Sequence, residues 1–222
     1  MQPNYTSPDG KIRFYNCSYE ELFKMGTIWD LAIVDPPYGI DDWNKRGSNK
    51  KHMDKKHMDL DKIQGWELKP PQDKYFNELK RVSKNQIIWG GNHFLDYLGS
   101  TKEFIVWDKK IRGMHFNDCE LAWSSGVKAA CRIFSLSANQ LDRIHPTQKP
   151  VALYKWILQN YAKQDDTILD THGGSMSHAI AVHDVNIALD MNLTLDICEI
   201  DTDYFNDAVK RFKTHIVQGQ LF

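Results

Sequence analysis

The sequence predicts an α/β fold: a doubly wound, mostly parallel twisted sheet with helices on both faces, built as a single domain. Three observations carry this. Leu31-Ala32-Ile33-Val34 is a continuous apolar run stopped by Asp35-Pro36-Pro37, as expected of a parallel strand covered on both faces. Thr167-Ile168-Leu169-Asp170 leads into a Gly-containing turn and an apolar helix, and Leu195 to Glu199 is again a strand ended by an acid and followed by a helix. Strands alternating with helices give a parallel sheet, and ligands of open α/β sheets lie outside the carboxyl ends of its strands.

Composition agrees with this class. At 222 residues, 41% hydrophobic and 26% charged, the chain suits one medium domain with a sizeable core. No apolar stretch approaches the roughly 20 residues that cross a bilayer, and Met1 to Tyr5 show no basic and then apolar leader, so a cytoplasmic location is expected. Cys17, Cys119, Cys131 and Cys198 form no C-x-x-C pair, which argues for reduced core thiols and against zinc or a disulfide framework. The formal net charge of -1 hides an uneven distribution. Lys45, Arg46, Lys50, Lys51, Lys55 and Lys56 crowd one segment, while acids dominate from Asp165 to Asp203, so one face can be basic within a neutral total.

Taken in order, Lys11 to Tyr15 alternates like a strand, and Ser18 is placed to cap a short helix over Tyr19 to Phe23. After the strand at 31–34, each proline fixes its own φ and biases the residue before it toward extended backbone, so Asp35 to Tyr38 is a stiff loop. A carboxylate beside a carbonyl outside any helix makes an acceptor pair suited to a planar –NH2 group, and Tyr38 offers a ring face for a flat heterocycle. The plainer reading is a strand-ending turn. Residues 41–61 are polar and contain a local duplication, Lys-His-Met-Asp at 51–54 and again at 56–59. They read as a mobile basic loop that tracks phosphates or closes over a target, and equally as a solvated charged loop. His52 and His57, without neighbouring Cys or paired carboxylates, do not make a metal site.

Tyr75, Phe76, Leu79 and Val82 recur at helical spacing before a strand over Gln86 to Trp89 that ends in Gly90-Gly91-Asn92-His93, where the glycines permit close approach of a ligand or neighbour. Glu103 to Trp107 and Asn117 to Ser124 follow as strands. Pro150 suits the first turn of a helix whose Val151, Tyr154, Leu158 and Tyr161 form one stripe, and Thr147 with Lys149 at its N-terminus suits a carboxylate. In the turn after Asp170, Met176 carries a Cβ and so disfavours positive φ. Glu199 ends its strand where carboxylates commonly accept hydrogen bonds from ribose hydroxyls. Thr202 is placed to cap a last helix with Phe205, Ala208, Val209, Phe212 and Ile216 on its buried stripe.

Asp35-Pro36-Pro37-Tyr38-Gly39-Ile40 resembles the catalytic motif of the amino-methyltransferases, S-adenosylmethionine-dependent enzymes that methylate adenine at N6 or cytosine at N4 in DNA. His145-Pro146-Thr147-Gln148-Lys149-Pro150 is similar to a second motif of that family, and the order of motifs matches its β subgroup. The resemblance runs from Lys11 to Phe212 and implies a Rossmann-like methyltransferase fold and roles for individual residues. Asp35 and the Pro36 carbonyl hold the amino group near the cofactor methyl, Pro37 stiffens the loop, and Tyr38 stacks on a flipped base. Thr147 and Lys149 take the cofactor carboxylate, Asp170 its amino group, Gly173, Gly174 and Ser175 the cofactor turn, and Glu199 its ribose. Asn16 stands where an acid near the cofactor adenine is usual. Thr171, His172 and Met176 depart from the family's usual Asp-Pro-Phe-x-Gly-x-Gly, which implies weaker cofactor binding or a differently shaped loop.

In the same subgroup residues 124–144 correspond to a target-recognition region, short here, with Arg132 and Arg143 as candidate DNA contacts beside the six basic residues of 41–61. Gln218 to Phe222, within a tail at 217–222, resembles the short peptide by which bacterial replication proteins dock on the sliding clamp. The resemblance thus implies a bacterial or phage-encoded enzyme, often part of a restriction-modification system, whose partners are double-stranded DNA, the clamp and a second subunit, with no metal. Adenine is favoured as target because the motif begins with Asp where cytosine relatives more often have Ser. The alternatives are cytosine-N4 methylation, methylation of RNA or a protein amide, and an impaired methyltransferase-fold module that binds DNA or the clamp.

Overall fold

The computed structural model describes residues 1–39, 70–113, 117–137 and 148–219. The expected basic loop at 41–61, Arg143, Thr147 and the anchors Leu221 and Phe222 lie outside the described residues.

Among the described residues nine strands form one sheet: β1 (Tyr5–Thr6), β2 (Ile12–Asn16), β3 (Trp29–Val34), β4 (Ser83–Trp89), β5 (Phe104–Asp108), β6 (Cys119–Ser124), β7 (Arg132–Ser135), β8 (Thr167–Asp170) and β9 (Thr194–Glu199). Their spatial order is β1-β2-β9-β8-β3-β4-β6-β5-β7. The five strands from β2 to β4 are mutually parallel. The edges are mixed: β1 opposes β2, and β6 opposes both β4 and β5. The sheet is the doubly wound, mostly parallel one that the apolar runs predict.

Strand side chains alternate between two cores, as the pleat requires. Leu31, Ile33, Ile168 and Ile197 pack with α4 (Val151–Tyr161), α5 (Ser177–Leu189) and α6 (Thr202–Gly219). Ala32, Val34, Leu169 and Cys198 pack with α1 (Tyr19–Phe23), α2 (Asp73–Val82) and α3 (Leu95–Leu98). Helices therefore cover both faces. Toward the amino end of the sheet the almost fully buried Asp196 accepts from Arg13 Nε at 2.6 Å, Arg13 Nη2 at 2.8 Å, Trp29 Nε1 at 2.8 Å and Tyr15 Oη at 3.1 Å, so this buried charge is paired and fixes β2, β3 and β9 together.

The topology also creates the crevice. From β3 the chain proceeds to β4 on one side, and from β8 to β9 on the other, although β3 and β8 are neighbours. Their crossovers diverge, which leaves a gap at their carboxyl ends, where Asp35 and Asp170 stand.

Several local expectations are corrected. Ser18 occupies the N-cap position of α1 without a side-chain cap bond. The cap of α6 is Asp201, whose Oδ1 accepts from the amides of Asp203 and Tyr204 at 2.9 Å each, while Thr202 Oγ1 donates to Asn16 Oδ1 at 2.9 Å. An ionised carboxylate accepts both orphan amides better than a hydroxyl does. Pro150 precedes α4 rather than opening it, and its carbonyl accepts from Leu153 N at 3.1 Å. The tail expected from 217 continues α6 as far as Gly219. Cys198 is buried, but Cys131 is exposed and so is no core thiol. β7, inside the expected recognition region, is an edge strand bonded, among the described residues, to β5 alone. No helix among the described residues is long and apolar enough to cross a membrane.

Candidate active site

The carboxyl edge gathers side chains distant in sequence. Asp35 follows the last residue of β3, and its carboxylate is held by Lys149 Nζ on Oδ2 and by Tyr38 Oη on Oδ1 at 2.7 Å. The Lys149 ammonium, 4% exposed, also meets Glu120 Oε2 at 3.2 Å and Tyr38 Oη at 3.3 Å, and lies 5.1 Å from the Trp89 ring centroid. Glu120, the second residue of β6, takes a second cation, Lys109, on Oε1 at 2.6 Å. Charge alternates along Asp35, Lys149, Glu120 and Lys109.

Burial pushes the Asp35 carboxyl up from its ordinary range, against the pull of Lys149 and with a further push from Glu120. Burial opposes the Lys149 charge, but Asp35 and Glu120 outweigh it and hold the ammonium above its ordinary value. Glu120 is pushed up by burial and pulled further down by Lys149 and Lys109, to a net position below its ordinary value. The Tyr38 phenol is pushed well up, first by burial and then by Asp35.

Tyr38 departs from expectation. Its ring lies parallel to His93, centroids 5.2 Å apart at 17°, and against Gly90, where an added Cβ would sit 2.1 Å from Tyr38 Cε1. The ring face expected to be open for stacking is covered by His93. Gly90 and Gly91 do serve close approach, to Tyr38 and to the backbone of Trp123.

Across the crevice, Asp170 is almost fully buried and accepts from the His172 amide and from His178 Nδ1, each at 3.0 Å. His178 stacks on Tyr154 at 4.8 Å and 10°, and its Nε2 is buried without a partner. The turn that follows is tied to β9: Gly173 N donates to the Cys198 carbonyl at 2.8 Å and Gly174 N to Glu199 Oε2 at 2.8 Å. A Cβ at Gly173 would meet that carbonyl at 3.2 Å. Glu199 Oε1 accepts from Asp201 N at 2.9 Å, and burial raises the carboxyl against these bonds. Met176 takes left-handed backbone (φ 53°) with its side chain fully buried, so the conformation that a glycine would favour is kept without one. His172 Nδ1 pairs with Thr171 Oγ1 at 2.9 Å, and burial lowers the imidazole to about 4.

Three expected contact residues are turned elsewhere. Asn16 Nδ2 donates to the Glu199 carbonyl at 2.9 Å, tying β2 to β9 instead of facing a ligand. Ser175 Oγ bonds Ser177 Oγ at 3.1 Å, and the Ser175 carbonyl accepts from Arg211 at 2.8 Å. Arg132 opens β7, which runs parallel to β5 and pairs at Ile105, so it stands at the end of the strand remote from the carboxyl edge. The sequence assigns no role to Glu120, within the strand expected over Asn117 to Ser124, or to His93, after the glycine pair; the structure sets both beside the site.

The N6/N4 methyltransferase family described as DNA methylase matches residues 120–210. No curated protein matches the chain. Solved structures do. The M1.HpyAVI–SAM complex is 18% identical at a TM-score of 0.62, covering 90% of this chain and 98% of that one. The cytosine-N4-specific PvuII DNA methyltransferase is 12% identical at 0.61, covering 95% and 89%. TTHA0409 from Thermus thermophilus, complexed with S-adenosyl-L-methionine, is 14% identical at 0.56, covering 91% and 95%. Residues 120–210 are thus similar to the N6/N4 DNA methylase family, and nearly the whole chain shares the fold of these methyltransferase structures.

Proposed function

We propose that the chain is a DNA methyltransferase of the β subgroup that moves the methyl group of S-adenosyl-L-methionine to the exocyclic N6 of an adenine flipped out of double-stranded DNA. The observation that carries the proposal is the placing of Asp35 and the Pro36 carbonyl at the end of β3, across the crevice from Asp170 and Glu199.

The residues present fit this cofactor. Its ammonium, ribose hydroxyls and sulfonium are donors or cations, and Asp170 and Glu199 offer buried acceptors at adjacent strand ends. Gly173 and Gly174 bring backbone close beside them. The bound cofactor supplies an electrophilic methyl group. Asp35 and the Pro36 carbonyl accept the two hydrogens of the base amine and aim its lone pair, so positioning and electrostatics lower the barrier. The methylated amine must lose one proton, and Asp35, raised by burial, is placed to take it. Tyr38 exchanges its contact with His93 for one with the extruded base.

Met176 keeps the left-handed turn, which supports a working cofactor loop over an impaired module. A cytosine-N4 target is the second reading, favoured by the likeness to the PvuII enzyme, since both bases present a planar exocyclic amine. The test is incubation with methyl-labelled S-adenosyl-L-methionine and unmethylated bacterial DNA, with RNA and protein controls, followed by nucleoside mass spectrometry. N6-methyladenine supports the proposal, N4-methylcytosine corrects the base, and absence of label overturns it.

A further inference from the structure

Two of the four cysteines come together near the carboxyl ends of β2 and β9. Tyr15 of β2 pairs with Cys198 of β9, and Cys17, two residues beyond Tyr15, lies on the same face by strand alternation. Tyr15 and Cys198 belong to the core under α1, α2 and α3, and Cys17 packs against that core. The two thiols share a hydrogen bond. β2 ends at Asn16, so Cys17 stands outside the ladder where the chain bends, and it can close on Cys198 without breaking a strand pair. The two thiols differ in access: Cys17 is partly exposed and Cys198 fully buried. They differ also in acidity. The hydrogen bond from Cys198 lowers Cys17 below its ordinary value, against burial and Glu21. The bond to Cys17, and then burial, hold Cys198 well above its own. An accessible, more acidic thiol beside a second one is the arrangement of a redox-sensing pair.

Cys198 is also a joint of the turn between β8 and α5. Its thiol donates to the Thr171 carbonyl at 3.3 Å and its own carbonyl accepts from Gly173 N at 2.8 Å, while the next residue, Glu199, accepts from Gly174 N. We propose that Cys17 and Cys198 are a site of reversible oxidation by hydroperoxides, and that the disulfide they form loosens this turn and so lowers methyl transfer. The last step rests on the methyl-transfer reading, which assigns the turn to the cofactor. The Cys17 thiolate attacks the terminal oxygen of the peroxide; an S–O bond forms, the O–O bond breaks, and the departing oxide takes up a proton. The Cys198 sulfur then attacks the sulfenic sulfur of Cys17; the S–S bond forms, the S–O bond breaks, and hydroxide leaves as water with the Cys198 proton. The two thiols lose two electrons in all, and these reduce the peroxide bond. Cys198 then has no S–H for the Thr171 carbonyl, and its sulfur is drawn toward Cys17. A dithiol reverses the bond by exchange.

The test treats the reduced wild type, Cys17→Ala and, as a control at the exposed thiol, Cys131→Ser with a small excess of hydrogen peroxide and then with dithiothreitol. Each state is read by peptide mapping, by hydrogen exchange over residues 171–176, by S-adenosyl-L-methionine calorimetry and by methyl transfer. Wild type and Cys131→Ser are expected to link Cys17 to Cys198, to exchange faster over 171–176 and to lose about tenfold in cofactor affinity, the worth of one hydrogen bond. Dithiothreitol should restore all three. Cys17→Ala is expected to match the untreated wild type in affinity and transfer, and peroxide should leave both unchanged. Oxidised Cys17 without a link to Cys198, or an equal loss of affinity in Cys17→Ala, would overturn the site. A link that changes neither exchange nor affinity would overturn its control of the turn. An untreated wild type that transfers no methyl group would refute the methyl-transfer reading, while mapping and exchange would still decide this one.

Discussion

Gly90→Ala tests the packing that sets Tyr38. Gly90 lies at φ 65°, and its added Cβ would fall 2.1 Å from Tyr38 Cε1, so the ring must move. Left-handed backbone costs an L-residue about 1–2 kcal/mol. Moving the ring also breaks the 2.7 Å bond from Tyr38 Oη to Asp35, and a hydrogen bond to a charged group contributes about 1.5–3 kcal/mol. The sum is about 4 kcal/mol, or about 12 °C in Tm for a domain of this size. Gly26→Ala is the control, because Gly26 has φ 74° and nothing within 4 Å of an added Cβ. It bears only the backbone strain, so about 5 °C is expected. Thermal melts of the two variants, with methyl transfer measured beside them, read the difference. Gly26→Ala should keep wild-type transfer and Gly90→Ala should lose most of it. Equal melting shifts and equal transfer would refute the claim that Gly90 exists to seat Tyr38.

Two further substitutions probe the turn between β8 and α5. Met176→Gly relieves about 1–2 kcal/mol of left-handed strain but deletes a fully buried side chain whose loss costs about 3 kcal/mol or more with its cavity. Urea unfolding should show a net loss of about 2 kcal/mol, and a stabilised variant would contradict the account. His172, lowered to about 4 by burial, stays neutral in the folded protein while the unfolded chain binds a proton below the ordinary value of about 6.5. Its stabilising contribution is complete above that value and is lost as pH falls through 4, which is about 2 kcal/mol between pH 7.5 and pH 5. His172→Phe should flatten that part of the stability curve, and an unchanged slope would show that His172 is not the group responsible.

Much of the site was legible because each strand announces its own carboxyl end. The apolar run before Asp35 and the acids at Asp170 and Glu199 are local signals, and the sheet topology converts them into neighbours. The stripe of α6, from Phe205 to Ile216, is buried as its period requires. What escaped was non-local or evenly balanced. Glu120 meets Lys149 only because β6 reverses beside β4, which no spacing reveals. Asp201 and Thr202 are adjacent capping types, and only the geometry chooses between them. β7 is four residues long and largely exposed, without the alternation that marks a strand. Asn16 sits at the edge as expected, yet its amide is spent on β9.

The central claim divides the carboxyl edge into an amine half at Asp35 and a cofactor half at Asp170 and Glu199. The direct measurement is Asp35→Ala, assayed both for S-adenosyl-L-methionine affinity by calorimetry and for labelled methyl transferred to unmethylated DNA. Transfer should fall to background while affinity stays within a few-fold of wild type. Transfer that persists, or cofactor binding lost together with it, would contradict the division.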